Sequence, residues 1–370
     1  MRNTPSKPIR TGELYPRQIA FCAAFLLPLG KFLEAPALLS KYAKGDILLP
    51  AILHFLVQSL LLLGILYAAS KSEKSILERI QNRLGKWSAV LYILFALYYL
   101  FAAVLPLLDL EKFVYAAFFD TAPTTFSFGV FFILLAFICT KGLKSLGRCA
   151  DLCLFLFLLP FLALIVMAFF ETDLTKLLPF FGTEIEGVAQ AFTRTTPHFA
   201  DAVLLLPLLA TRRYKEGDGV KIMSGYWAGA GMTLLFFAVF FGIFSSIAPR
   251  EHYAFLKIAQ YFPALDVVGR IDLIFIYLLS AVLLFYTALP LLYATELTAW
   301  TFHTERKVRF SAPIALAAFL FVLFMNKRYD TFYALISGKL APIFWLIAYL
   351  LPLFCLFLPE KSKRKERINA

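Results

Sequence analysis

Ten predominantly apolar stretches run along the chain, at roughly 17–40, 47–69, 88–108, 125–140, 150–170, 188–210, 222–248, 270–296, 310–326 and 341–358. A helix needs roughly 20 such residues to cross a hydrocarbon core of about 30 Å. The stretches are continuously apolar rather than alternating over about ten residues, which argues against a membrane β-barrel. They predict an all-α integral membrane fold of ten transmembrane helices, in one domain over 1–370. The fourth and ninth stretches are short, and the sixth carries a polar run at 193–198. Between the second and third, residues 72–86 put Ile76, Leu77, Ile80 and Leu84 on one side of a helix. That segment is either an interfacial amphipathic helix or a solvated basic connector.

Two of the ten stretches are interrupted. In the first, an apolar half-helix at 21–27 is followed by Pro28, Gly30, Lys31, Glu34 and Pro36. Pro removes a backbone donor and Gly lowers helix propensity. Lys31 and Glu34 are three apart, so they can meet on one turn. In the sixth, Thr195, Thr196, Pro197 and His198 break the run, and Asp201 and Pro207 follow. Unwound backbone at membrane depth is tolerated only where it is buried in protein or lines a cavity. Broken helices in corresponding positions of two halves mark the substrate site of inverted-repeat transporters. The first repeat is read as about 17–170, the second as about 188–358, with a basic tail at 359–370.

Several readings stay open at this level. Lys31 and Glu34 either neutralise each other in a kinked helix or line the cavity. Asp201 caps the half-helix after Pro197, a role compatible with a pocket. A ligand carboxylate is expected at the positive end of a half-helix. Tyr98 and Tyr99 in the third stretch, and Tyr286 and Thr287 in the eighth, either offer hydroxyls or pack with one satisfied hydrogen bond. Asp272 and Glu296 lie near span ends, where they snorkel or cap. His54 and Gln58, one turn apart, bond to each other or to a neighbouring helix. Gly225 and Gly229 form a GxxxG pattern that lets helices approach closely.

Composition supports the membrane reading. The chain is 61% hydrophobic and 16% charged, against about 25% charged in soluble domains, and its mean hydropathy is +0.76. The formal charge of +12 is topological rather than a nucleic-acid footprint. With the N-terminus inside, 24 Lys and Arg fall in cytoplasmic segments and 11 in outer ones, with Lys31 inside the first span. This bias predicts that both termini are cytoplasmic and that the basic run at 361–367 helps fix the topology. Residues 1–17 are polar and basic, unlike a signal peptide. The five cysteines form no CxxC pair and have no His partner, so neither a metal site nor a disulfide framework is expected. No nucleotide loop or nucleophile triad is present. The expectation is a protein that is not an enzyme and uses no cofactor or metal.

Three segments resemble a known family. Residues 15–43 look like the opening helix of the spore germination permeases, the B subunits of GerA-type nutrient germinant receptors. Thr140-Lys-Gly-Leu-Lys-Ser-Leu-Gly-Arg-Cys-Ala-Asp151 is similar to that family's loop between spans four and five. Tyr261-Phe-Pro through Gly269-Arg-Ile-Asp272 resembles its approach to span eight. The resemblance implies the amino acid–polyamine–organocation transporter superfamily and a LeuT-like five-plus-five inverted repeat with discontinuous helices 1 and 6. It implies the inner membrane of a bacterial endospore, a soluble-tailed A subunit and a lipoprotein C subunit as partners, and a small nutrient ligand, typically an amino acid. A stand-alone secondary transporter of amino acids or organic cations is the rival reading. Carried onto this chain, the ligand residues are Gly30 with neighbours Lys31 and Glu34, Tyr98, Tyr99, Asp201 and Thr287. One departure is that Lys31 follows the glycine where the family usually has a small or hydroxyl residue.

Overall fold

The computed structural model describes residues 14–71, 76–118, 124–178, 180–210, 213–261, 272–304 and 306–356. Among these residues the secondary structure is entirely helical. The elements are α1 (Pro16–Leu29), α2 (Ala35–Ala43), α3 (Leu48–Ser70), α4 (Ile76–Leu84), α5 (Ser88–Phe118), α6 (Thr124–Lys141), α7 (Leu143–Phe169), α8 (Ile185–Thr195), α9 (Asp201–Ala210), α10 (Asp218–Phe244), α11 (Ala254–Gln260), α12 (Asp272–Thr301), α13 (Val308–Asn326), α14 (Tyr329–Ser337) and α15 (Ala341–Leu356).

Each apolar stretch becomes helix, and the two interrupted ones become helix pairs: α1 and α2 around a bend at 30–34, and α8 and α9 around a 3₁₀ turn at Thr196–Phe199. Among the described residues, six helices are long and apolar enough to cross a membrane unaided, and α14 with α15 forms a further pair bent by 53°. The helix from Pro16 and the part of α6 from Phe128 are shorter apolar helices. The third stretch runs ten residues further than expected, to Phe118. Helices α11 and α14 had no counterpart in the sequence pattern; at seven and nine residues they are too short to show a span. The connector at 72–86 contains the helix α4, with Ile76 and Ile80 buried. The basic tail at 361–367 and most of the segment from Tyr261 to Asp272 lie outside the described residues.

Packing follows from a few close approaches. A Cβ on Gly225 would collide with the backbone of Ala20, and one on Gly229 would sit 2.9 Å from the Ala23 carbonyl. The GxxxG therefore seats α10 directly on α1, inside one bundle. Gly142 joins α6 to α7 at φ +79°, a left-handed conformation open to glycine. Glu296 accepts from Leu143 N at this corner and pairs with Lys307. The Lys-Gly-Leu run thus has a structural reason. Leu60, Ile133 and Leu159 point outward on α3, α6 and α7, a rim of apolar surface that a lipid solvent satisfies.

Candidate functional site

The bend in the first segment exposes backbone carbonyls that a continuous helix would use. Two are met by the start of α11: Ala254 N donates to Leu33 O at 3.0 Å and Phe255 N donates to Phe32 O at 3.2 Å. Phe32 is fully buried among the rings of Phe157, Phe161, Phe236 and Phe255, at centroid distances of 4.1–6.0 Å. These contacts fix the bend against α7, α10 and α11.

The bend in the sixth segment is held from α3 and α5. His54 stacks on Phe192 and Phe199, and its Nε2 lies 2.9 Å from Phe192 O and 3.2 Å from Thr195 Oγ1. Gln58 Oε1 accepts from Ala202 N at 3.0 Å, satisfying one of the amides that a helix start leaves open. Tyr99 donates to Val203 O at 2.7 Å. His54 and Gln58 therefore bond to the broken helix rather than to each other.

Lys31 and Asp201 join the two bends. Nζ of Lys31 donates to Asp201 Oδ1 at 2.6 Å and to Leu27 O at 2.9 Å, with side-chain exposures of only 1% and 3% for the pair. The ammonium also lies 5.0 Å from the Phe199 ring centroid and 5.5 Å from that of Phe55. Of the two readings of Lys31 and Glu34, mutual neutralisation is not formed: Lys31 meets Asp201 and Glu34 meets His252. Glu34 accepts from His252 Nδ1 at 2.7 Å. The Glu34 carboxylate beside it raises the His252 pKa above its ordinary value.

A cavity of about 70 Å³ lies between the two bends, several times the 10–15 Å³ that one water needs. Gly30, Pro197, His198 and Asp201 line it from the broken segments. Tyr98, Tyr99 and Asp109 close it from α5, Tyr286 from α12 and Phe344 from α15. Gly30 is a requirement of this geometry: a Cβ there would collide with Tyr286 Oη.

Gly30, Tyr98, Tyr99 and Asp201 thus share one cavity. Lys31 stands behind Asp201, outside the cavity lining, and Glu34 lies towards the α11 side. Thr287 is buried but hydrogen-bonds the Leu283 carbonyl of its own helix, and its neighbour Tyr286 is the residue that reaches the cavity. Asp109 was not singled out from the sequence, since the third stretch was ended one residue before it. It is buried and accepts from the Tyr329 hydroxyl at 2.8 Å. No group of three or more His, Cys, Asp or Glu is placed to hold a metal ion among the described residues.

Comparison with solved structures gives the fold. The chain superposes on a manganese transporter of Eremococcus coleocola in complex with an aromatic bis-isothiourea compound, with a TM-score of 0.56 and 12% identity, covering 95% of this chain and 81% of that one. A mutant of the same transporter gives 0.59 and 12%, covering 96% and 83%. At this identity the likeness is one of fold, the LeuT-like helical arrangement. No curated protein matches the chain. The family described as spore germination protein matches residues 33–356, nearly the whole folded bundle, and the chain belongs to that family.

Proposed function

We propose that this chain is the membrane subunit of a spore nutrient germinant receptor, and that a small germinant occupies the cavity between the two bends. The observation that carries this reading is the cavity itself, lined in part by the breaks of both interrupted segments. A germinant with differential affinity for two arrangements of the halves shifts their balance, and that shift is the signal. The first candidate ligand class is an amino acid. The reading places the chain in the spore inner membrane with both termini in the cytoplasm. Its partners are a soluble-tailed A subunit and a lipoprotein C subunit. No covalent step is part of it.

The test replaces Gly30 with Leu in spores that depend on this receptor. The larger side chain competes with Tyr286 for the same space. Loss of the nutrient response, with normal chain levels in the spore membrane, supports the assignment; an intact response refutes it. The transporter fold of the structural neighbours favours a second reading, a carrier that works alone. Accumulation of labelled amino acid by proteoliposomes containing only this chain would establish the carrier. Dependence of the nutrient response on co-expressed A and C subunits would establish the receptor.

A further inference from the structure

The cavity contains a charge arrangement that selects among small solutes. Asp201 is 2% exposed, and only its Oδ1 meets Lys31; its Oδ2 is buried with no partner, on a residue that lines the cavity. An unpaired carboxylate oxygen away from bulk solvent carries a desolvation cost that a donor would remove. Asp109 supplies a second carboxylate to the same cavity. The walls around them are aromatic: Tyr98, Phe101, Tyr286 and Phe344. Ring faces attract cations.

Among the described residues, the lining offers no Lys or Arg to an anion. The Lys31 ammonium is already engaged by Asp201 Oδ1, Leu27 O and the faces of Phe55 and Phe199. His198 also lines the cavity, with Nε2 3.3 Å from the Tyr333 hydroxyl. The positive start of α9, the place where a ligand carboxylate was expected, carries the carboxylate of Asp201 itself, and Gln58 takes the Ala202 amide.

We infer that the cavity recognises a small primary amine through its ammonium group, held between Asp201 Oδ2 and Asp109 over the aromatic walls, and disfavours solutes that bring a carboxylate. This rests on the cavity assignment of the proposed function and replaces its first candidate ligand, an amino acid, with an amine. A zwitterionic amino acid would place its ammonium in the same position but leave its carboxylate without a cation.

The test measures binding to the purified full chain in lipid nanodiscs by calorimetric titration, with three probes of similar size: propylamine, alanine and propionate. Propylamine is expected to bind more tightly than alanine by about tenfold or more, the scale of one charge-assisted hydrogen bond, and propionate is expected not to bind. Asp109→Asn should weaken propylamine by about tenfold, the loss of one charge-assisted contact to its ammonium. Ala102→Phe, which fills the cavity from α5, should abolish binding of every probe. If alanine or propionate binds as tightly as propylamine and Ala102→Phe removes that binding, the amine inference fails while the cavity assignment stands. If propylamine binding survives Ala102→Phe, or none of the probes binds, the cavity assignment fails and the inference with it. The ranking of the probes on the unaltered chain is decisive even if a variant does not fold.

Discussion

Replacing Lys31 by Met removes the cation that Asp201 meets. Asp201 would then hold two unpaired oxygens in a site that is 2% exposed. Breaking a buried pair by deleting one partner costs about 3–5 kcal/mol, because the other charge is left without compensation. Asp201→Asn is the gentler half of the pair: the Asn oxygen still accepts from Lys31. The ammonium also keeps the Leu27 carbonyl and two ring faces, the latter worth roughly 2 kcal/mol to a desolvated cation. The double variant Lys31→Met with Asp201→Asn removes both charges, so its cost should be smaller than that of Lys31→Met alone. Thermal unfolding of the purified chain in detergent, followed by tryptophan fluorescence, should therefore rank the unaltered chain first, then Asp201→Asn, with Lys31→Met lowest and the double variant above Lys31→Met. A Lys31→Met protein of unaltered stability, or a double variant whose loss equals the sum of the singles, would refute the argument that the pair bridges the two bends.

Three further outcomes follow from the packing and the loops. Gly225→Ala should destabilise by about 1–3 kcal/mol, since the new methyl meets backbone and not a movable side chain; the same thermal assay reads it, and an unchanged midpoint would contradict the α1–α10 approach. Phe32→Ala should cost about 3–5 kcal/mol, because four rings lose their common neighbour; a loss below 1 kcal/mol would show that the bend is not anchored there. The Glu34–His252 contact should be pH-dependent. The folded His252 pKa is raised above 6.5 by Glu34, with Glu251 and Asp330 contributing, so its stabilisation is complete below about 6.5 and fades as pH rises through the folded pKa. His252 is 59% exposed, so solvent keeps the effect small. His252→Gln should flatten that part of the stability–pH curve, and an unchanged curve would exclude the contact as its source.

Much of the fold was readable from the chain because two signals were strong and local. Long uncharged runs can only be helices in lipid, and Pro with Gly or polar residues inside such a run marks a break. The structure puts breaks where Pro28–Pro36 and Thr195–His198 suggested them. The partners across the site were harder to see. Lys31 had an acidic residue three positions away, and local spacing favoured Glu34; its actual partner is 170 positions distant, a pairing set by how the two bends meet. The eighth segment shows a second limit. A helix that is apolar all round carries no periodic stripe to fix its rotation. Both Tyr286 and Thr287 could offer hydroxyls and only Thr287 entered the ligand set, although they point about 100° apart on the helix and Tyr286 is the one that lines the cavity. Asp109 was hidden because an acidic residue after an apolar run reads as the edge of the membrane. In the structure α5 continues past it, and Tyr329 and Asn326 supply hydrogen bonds to Asp109 and Glu111.

The hydrogen bonds that hold the two bends are exchanged between the halves of the chain. His54, Gln58 and Tyr99 of the first half secure the sixth segment, while Ala254 and Phe255 of the second half secure the first. Either half, synthesised alone, would lose these braces on its own interrupted helix. Cut in the loop between α7 and α8 and expressed as two fragments, the protein should assemble only when both are made together, and a fragment left single should be degraded. The same exchange couples the halves: a substitution at a brace in one half reshapes the cavity through the other.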